Sequence, residues 1–371
     1  MARTHLDENA PNLLQTPPKI KSNKPKYTKF SQQELPGCKP VMTPTYVMAT
    51  LMLVGAIFIP IGSITLHAAG GVVEIVKRYE DVCLIIASTL QNITLSTIAQ
   101  KVNYIQDPTT PKNCTITLTI PHYMKQPVYV YYELQNFYQN HRRYVKSRND
   151  AQLKGKLVTS SNLASCKPED FLDNYPIVPC GLIAWSFFND SYVFTLNNVS
   201  LPINKTSIAW PSDIKVKFGA QPSNFPNNNI NSTNSSTNSW IGGGALNPGV
   251  ALNHNEDFLV WMRAAALPNF RKLWGRIEQN LYDGDVVTIN ILNVYNTYSF
   301  HGKKKIVLST SSWIGGKNNF LGSAYLCIGC MCFFLAFSFF LMFHQWPRAL
   351  GDTSYFSWHN SSQAKICLEH L

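Results

Sequence analysis

Two stretches of this chain carry no charged side chain at all. Neither residues 40–73 nor residues 318–347 contain Asp, Glu, Lys or Arg. Within them, residues 46–67 (YVMATLMLVGAIFIPIGSITLH) and 320–343 (FLGSAYLCIGCMCFFLAFSFFLMF) are almost wholly apolar. A bilayer core of about 30 Å needs about 20 apolar residues in helix, so each stretch is long enough to span. A core helix of a soluble domain would show polar residues at intervals along one face, and neither stretch does. The chain therefore reads as a two-span membrane protein. Its expected parts are a tail at 1–45, spans at 46–67 and 320–343, a large domain at 68–319 and a second tail at 344–371.

Charge sets the expected orientation. The first span follows a long polar, Pro- and Lys-containing segment, so it reads as a signal anchor and not as a cleaved signal peptide. That segment holds Arg3, Lys19, Lys21, Lys24, Lys26, Lys29 and Lys39 against Asp7, Glu8 and Glu34. Positive flanks stay in the cytosol, which puts the large domain in the lumen or outside the cell and returns the C-terminus to the cytosol. The run Lys303-Lys304-Lys305 argues the other way, but it sits in a long loop, and such loops cross largely regardless of charge. The net charge of +11 falls as +4 in the first tail, +7 in the large domain and zero in the last tail. The first tail is poor in apolar residues and reads as disordered. Its lysines suit anionic cytosolic lipid, or serve as a topology signal alone.

The nine cysteines sort by compartment. Cys38 and Cys367 fall in the tails, and Cys327, Cys330 and Cys332 inside the second span. Within a bilayer the Cys327-Ile-Gly-Cys330 spacing reads as small apolar residues and not as a metal motif. Cys83, Cys114, Cys166 and Cys180 remain in the large domain. Four cysteines in an oxidising compartment suggest two disulfides with three connectivities. Sequential pairing closes the smallest loops and is the expected one. Seven Asn-x-Ser/Thr sequons lie in the same domain, at Asn92, Asn113, Asn189, Asn198, Asn204, Asn231 and Asn234, and their density suits a glycosylated compartment. Asn360 has the pattern too but falls on the cytosolic side.

Most of the large domain reads as β. Residues 115–120 (TITLTI) alternate strictly, as a half-buried strand does. Residues 128–134, 191–196, 286–295 and 305–310 are rich in β-branched and aromatic side chains, with turn signals such as Asp283-Gly284-Asp285 between them. Asn255 opens a helix expected over 258–266 and closed by Pro268, and 136–146 is a weaker helical candidate. The expected architecture is an antiparallel sheet or sandwich with short helices. Residues 222–239 are too rich in Asn and Ser to bury a core and read as an exposed excursion.

No phosphate-binding loop, H-E-x-x-H helix or G-x-S-x-G elbow occurs. Gly242-Gly243-Gly244 lacks the strand–turn–helix context of a dinucleotide fold. Acids such as Glu80-Asp81, Asp213 and Asp283/Asp285 could in principle form a glycosidase dyad, but nothing in the sequence brings two of them together, and turn or surface acids are the normal case. No cofactor and no metal site is expected. One segment stands out: residues 136–150 (NFYQNHRRYVKSRND) set Arg142, Arg143, Lys146 and Arg148 among Phe137, Tyr138 and Tyr144. Such a mixture suits an acidic partner surface or phosphate head groups, or simply a solvated helix with an aromatic core face. The compartment excludes nucleic acid.

Five blocks together resemble one family: residues 137–148 (FYQNHRRYVKSR), 179–190 (PCGLIAWSFFND), 261–277 (WMRAAALPNFRKLWGRI), 295–316 (YNTYSFHGKKKIVLSTSSWIGG) and 350–358 (LGDTSYFSW). It is the accessory β-subunit of the P4-type ATPases, the cell-cycle-control-fifty or ligand-effect-modulator family, and the resemblance is to its plant branch, the ALA-interacting subunits. It covers residues 29–358. The resemblance implies two spans, a β-rich ectodomain with two disulfides, and a heterodimer with a flippase ATPase that moves membrane phospholipid. It implies a role in bringing the pump out of the endoplasmic reticulum and supporting its cycle, in membranes of the endoplasmic reticulum, Golgi, post-Golgi compartments or cell surface. Carried onto this chain, Cys83, Cys114, Cys166 and Cys180 match the family's disulfide positions, and Asn189 its glycosylated FND-[ST] motif. The 222–239 stretch is longer than the family's pattern, and residues 83–113 match it poorly.

Helices in lipid associate through close packing at small residues. Gly322, Gly329 and Ala336 recur every seven residues on the second span, and Gly55 and Gly62 do so on the first. These stripes join either the two spans to each other or the chain to its partner. With the basic aromatic segment they make up the candidate partner contacts. The rival readings are a membrane-anchored lumenal enzyme, such as a glycan-processing hydrolase, and a receptor or adhesion ectodomain.

Overall fold

The computed structural model describes residues 26–37, 43–88, 91–94, 97–156, 158, 160–172, 175–220, 246 and 250–347. Cys38, Cys367, Asn231, Asn234, Asn360, the 222–239 stretch, the Gly242–Gly244 triplet and the 350–358 block lie outside them.

Both apolar stretches are single helices of 27 residues, α1 (Pro44–Gly70) and α7 (Asn319–Gln345). At 1.5 Å per residue each is about 40 Å long, more than the hydrocarbon core requires. They run a few residues past the expected spans at both ends because nothing in the flanks breaks them. Pro60 sits inside α1.

The chain divides into two compact units. One is Met52–Phe334. The other is formed by the two ends, Met1–Leu51 and Leu335–Leu371. In the latter, Thr28 and Ser31 tie a turn through hydroxyl and backbone hydrogen bonds, and the ring of Phe340 stacks on His344 one helical turn later.

The larger unit is built from two four-stranded antiparallel sheets. The first has the order β1 (Glu74–Arg78), β12 (Lys303–Ser309), β5 (Val128–Gln135), β10 (Phe270–Ile277). The second has the order β4 (Asn113–Thr119), β11 (Val286–Leu292), β8 (Ser191–Leu196), β9 (Val199–Leu201). Two minor hairpins, β2 (Ile85–Ser88) with β3 (Gln91–Thr94) and β6 (Phe171–Leu172) with β7 (Tyr175–Pro176), lie outside them. Short helices fill the connections: α2 (Ile98–Gln106), α3 (Arg142–Lys146), α4 (Asp150–Leu153), α5 (Leu182–Trp185) and α6 (Glu256–Met262).

The period of two explains the core. In β4 Ile116 and Leu118 are buried while Thr115, Thr117 and Thr119 are exposed. Facing them in register, Val287, Ile289 and Ile291 of β11 are buried. In the first sheet Val130, Tyr132 and Leu134 of β5 stand beside Leu308, Ile306 and Lys304 of β12. One apolar cluster takes the inward residues of both sheets, and Trp274 of β10 packs edge-on to Tyr192 of β8 at 5.1 Å. On the other face of the first sheet, Glu133 accepts from Arg271 at 2.7 Å and from Lys305 at 3.0 Å, a cross-strand ladder of opposite charges.

Two disulfides staple the domain, Cys83 within the main apolar cluster and Cys166 and Cys180 in a smaller one with Leu163 and Ile177. Cys83 is bonded to Cys114, with Cα atoms 5.1 Å apart, and Cys166 to Cys180, at 5.6 Å. Closing the shorter loop removes roughly 3 kcal/mol of chain entropy from the unfolded state on the loop model. Gly181 follows directly, at φ +106°, and a Cβ there would meet the Ser147 carbonyl oxygen at 2.1 Å. Only glycine permits that approach. It holds the end of α3 against the start of α5.

The helix expected at 258–266 is present but shorter. Asn255 caps it by accepting from the Phe258 amide at 3.1 Å. It stops at Met262 because Lys272 of β10 donates to the carbonyls of Val260, Trp261 and Arg263 at its end. The helix expected at 136–146 is reduced to the five residues of α3.

Candidate functional site

The basic aromatic segment separates its two chemistries by direction. Phe137 points inward and meets Tyr144, Trp261, Phe270 and Phe300 edge-on, with ring centres 5.5–6.1 Å apart. Tyr144 is buried and shares a 2.7 Å hydrogen bond with Ser186, which caps the end of α5. Arg142, Arg143 and Lys146 are exposed on α3. Arg148, just beyond it, pairs with Asp150 at 3.0 Å. Phe137 and Tyr144 thus belong to the core, while the cations face outward together with Tyr138, which is exposed.

The middle lysine of the Lys303–Lys305 run has a different fate from its neighbours. Lys304 and Asp190 are both fully buried and joined at 2.6 Å. The Lys304 ammonium also donates to the Tyr295 carbonyl at 2.7 Å and to Asn293 Oδ1. Asp190 Oδ1 accepts from the amides of Val294 and Tyr295 at 2.7 and 2.6 Å, and its Oδ2 from the Tyr79 hydroxyl at 2.7 Å. Tyr79 and Tyr192 share a further 2.8 Å bond. Burial draws the Lys304 ammonium down, against the pull of Asp190, and burial raises the phenols of Tyr79 and Tyr192 well above their ordinary value. Ion and hydrogen bonds here tie β12 of one sheet to the residue just before β8 of the other. This network was not foreseen from the sequence, where Lys304 counted only toward topology.

Lys272 is a second inward lysine, beside Tyr132 in register. It has no carboxylate partner among the described residues. Burial, and then Arg263, bring its ammonium down to about 7. Its role is to close the end of α6.

Of the acids considered for catalysis, Glu80, Asp81, Asp213 and Asp285 are engaged. Glu80 pairs with Arg78, and Asp213 with Arg263 and Lys217. Asp285 accepts from the Tyr282 amide and from Asn197. Among the described residues no three His, Cys, Asp or Glu side chains gather as a metal ion would need.

The sequons fall in different settings. Asn113 is exposed at the start of β4, and Asn198 is exposed in the turn between β8 and β9, at φ +69°. Asn189 is half-buried, beside Asp190. Asn204 donates to Glu278 at 2.6 Å and accepts from Thr206 of its own sequon. Asn92 lies in β3.

The glycine stripes bring α1 and α7 together. A Cβ on Gly322 would lie 2.8 Å from the Leu66 amide nitrogen, and one on Gly329 2.7 Å from Ile59 Cγ1. From the other side, a Cβ on Gly62 would be 3.1 Å from the Gly322 carbonyl, and one on Gly55 3.2 Å from the Gly329 carbonyl. Phe58 meets Tyr325 edge-on between them at 5.3 Å. Of the two uses expected for Gly322 and Gly329, the geometry supplies the packing of the spans on each other. Ala336 is buried.

Two apolar helices of membrane-spanning length around a disulfide-bonded domain of two antiparallel sheets define an integral membrane protein with a β-rich ectodomain. Residues 65–349 match the model of the LEM3 (ligand-effect modulator 3) / CDC50 family, and the chain belongs to that family. It is 52% identical to "ALA-interacting subunit 3" of Arabidopsis thaliana over 342 residues, 92% of each chain. It is 37% identical to "Cell cycle control protein 50A" of Bos taurus over 345 residues, 89% of this chain and 91% of that one. With "Phospholipid-transporting ATPase accessory subunit CRF1" of Saccharomyces cerevisiae it shares 33% over 373 residues, 92% of this chain and 90% of the other.

Proposed function

We propose that this chain is the non-catalytic accessory subunit of a phospholipid-translocating P4-type ATPase, bound to it as a heterodimer and needed for its export from the endoplasmic reticulum and for lipid flipping. The observation that carries the reading is similarity along nearly the whole chain, spans and ectodomain together, to relatives named as interacting or accessory subunits. The interior agrees with it. Glu80, Asp213 and Asp285, three of the acids considered for catalysis, serve as partners of cations and amides, which favours a rigid binding domain over a hydrolase. Affinity purification in mild detergent should recover an ATPase of about ten spans with the tagged chain. Recovery of the chain without any such ATPase, from cells that make both, would count against the reading.

The same reading places both termini in the cytosol and the ectodomain in the lumen, in the endoplasmic reticulum, in Golgi or post-Golgi membranes, or at the cell surface. It is supported by seven basic against three acidic residues in the first tail and by the disulfides on the opposite side of the spans. Asn189, Asn113, Asn198, Asn204, Asn92, Asn231 and Asn234 are the proposed glycan acceptors. Protease added to sealed microsomes should trim only short ends and leave a glycosylated core containing Asn189. Protection of both tails would reverse the orientation.

A further inference from the structure

A cleft of about 240 Å³ opens on the ectodomain where four separate segments bring cations together. Arg148 follows α3, Lys154 caps the end of α4, Lys217 ends the turn at 213–217, and Arg263 caps the end of α6. Only two acids share the cleft, Asp150 and Asp213, so the site carries a surplus of two positive charges.

Two of these cations are held in place from below. The Asp213 side chain is 2% exposed and receives Arg263 Nε at 2.5 Å and Lys217 at 2.9 Å. Burial alone would raise its carboxyl, but the bonds from Arg263 and Lys217 override that and keep it below the usual carboxylate range. The Arg263 guanidinium also lies over the Trp210 ring at 5.0 Å. Both arginines meet their acids through Nε, and among the described residues their paired Nη groups have no partner. Lys154 has no side-chain partner there either. Phe218, Leu259 and Met262 contribute apolar lining.

We propose that this cleft receives an acidic side chain with an apolar neighbour, projecting from a loop that the partner ATPase exposes on the same side of the membrane. The proposal rests on the accessory-subunit reading. A free guanidinium fork is matched to a carboxylate, which it grips through two parallel hydrogen bonds. The apolar lining gives the neighbouring side chain somewhere to leave water. A phosphate head group would use the cations and leave that lining empty. The volume falls below the roughly 300–1,000 Å³ of small-molecule pockets, which suits one or two side chains and not a lipid. Arg148, Lys217 and Arg263 keep 42–61% of their side chains exposed, so the attraction is partly screened and weakens with salt.

The test uses the full chain expressed with the ATPase that the wild type retains. Lys154→Glu removes no side-chain hydrogen bond or ion pair among the described residues, so the ectodomain should still fold, oxidise and become glycosylated. It should lower the retained ATPase several-fold, and Lys154→Glu with Lys217→Glu about tenfold, a change worth about 1.4 kcal/mol. Lys303→Glu, at an exposed lysine outside the cleft, should change nothing. Wild-type retention in a folded Lys154→Glu chain would overturn the cleft assignment while leaving the accessory-subunit reading intact. So would an equal loss from Lys303→Glu. Binding of the wild type alone to phosphatidylserine vesicles, abolished by Lys154→Glu, would put a lipid head group there instead. A wild-type chain that retains no ATPase would bring down the reading itself.

Discussion

Lys304→Met should stop the ectodomain from maturing. The substitution keeps an unbranched apolar stem of similar length but removes the one cation paired with the fully buried Asp190 among the described residues. Removing one partner of a buried ion pair typically costs about 3–5 kcal/mol, because the other charge is left in a medium that cannot solvate it. Against a total of about 5–15 kcal/mol for a domain, that is a large share. The sequon at Asn189 is untouched, so the expected product is a glycosylated chain that protease degrades and that fails to leave the endoplasmic reticulum. Adding Asp190→Asn should restore much of the resistance. The Asn oxygen still accepts from the Val294 and Tyr295 amides, and no charge is left without a partner. Protease resistance of the three variants against wild type is the measurement. A Lys304→Met chain as resistant as wild type would show that the network adds little.

Gly329→Leu should separate the two spans. The glycine faces Ile59 so closely that even a Cβ would sit 2.7 Å from its side chain. A leucine must push α1 and α7 apart along their line of contact, and in lipid no hydrophobic gain offsets the lost packing. Overpacking of this kind costs about 1–3 kcal/mol. Cysteines at Phe58 and Tyr325, with Cys327, Cys330 and Cys332 changed to Ala, offer a direct readout. A short thiol-specific cross-linker should join them in the Gly329 background and fail in the Gly329→Leu chain, while the ectodomain stays oxidised. Cross-linking unchanged but ATPase lost would move the stripe to the partner-facing side.

The sequence disclosed the parts of this molecule that follow from local pattern. Both spans, and the strands at 113–119, 128–135, 191–196, 286–292 and 303–309, are visible as charge-free runs or as β-branched, aromatic alternation. Strand β10 is not. Arg271, Lys272, Gly275 and Arg276 interrupt it, and its inward lysine is accommodated only because the end of α6 lies above it. Lys304 was partly legible: period two sets it on the face of Ile306 and Leu308, between outward Lys303 and Lys305. What the spacing withheld was its partner, 114 residues earlier in the chain. The cleft is the same case at larger scale. Arg148 stands out in its own segment, but Lys154, Lys217 and Arg263 join it only when four connections have folded. The shortening of the 258–266 helix has a tertiary cause too, since a strand residue takes its last carbonyls. The glycine stripes are readable as contact surfaces, and only the packing of α1 on α7 shows what they touch.

The most direct test of the accessory role is to follow ATP hydrolysis through the affinity purification. The chain should co-elute with a P4-type ATPase, and the eluate should hydrolyse ATP. Once the ATPase is stripped away, the remaining chain, still oxidised and folded, should hydrolyse none, because it holds no phosphate-binding loop. Hydrolysis that stays with the stripped chain would contradict the account, as would a purified ATPase whose lipid translocation is the same with and without it.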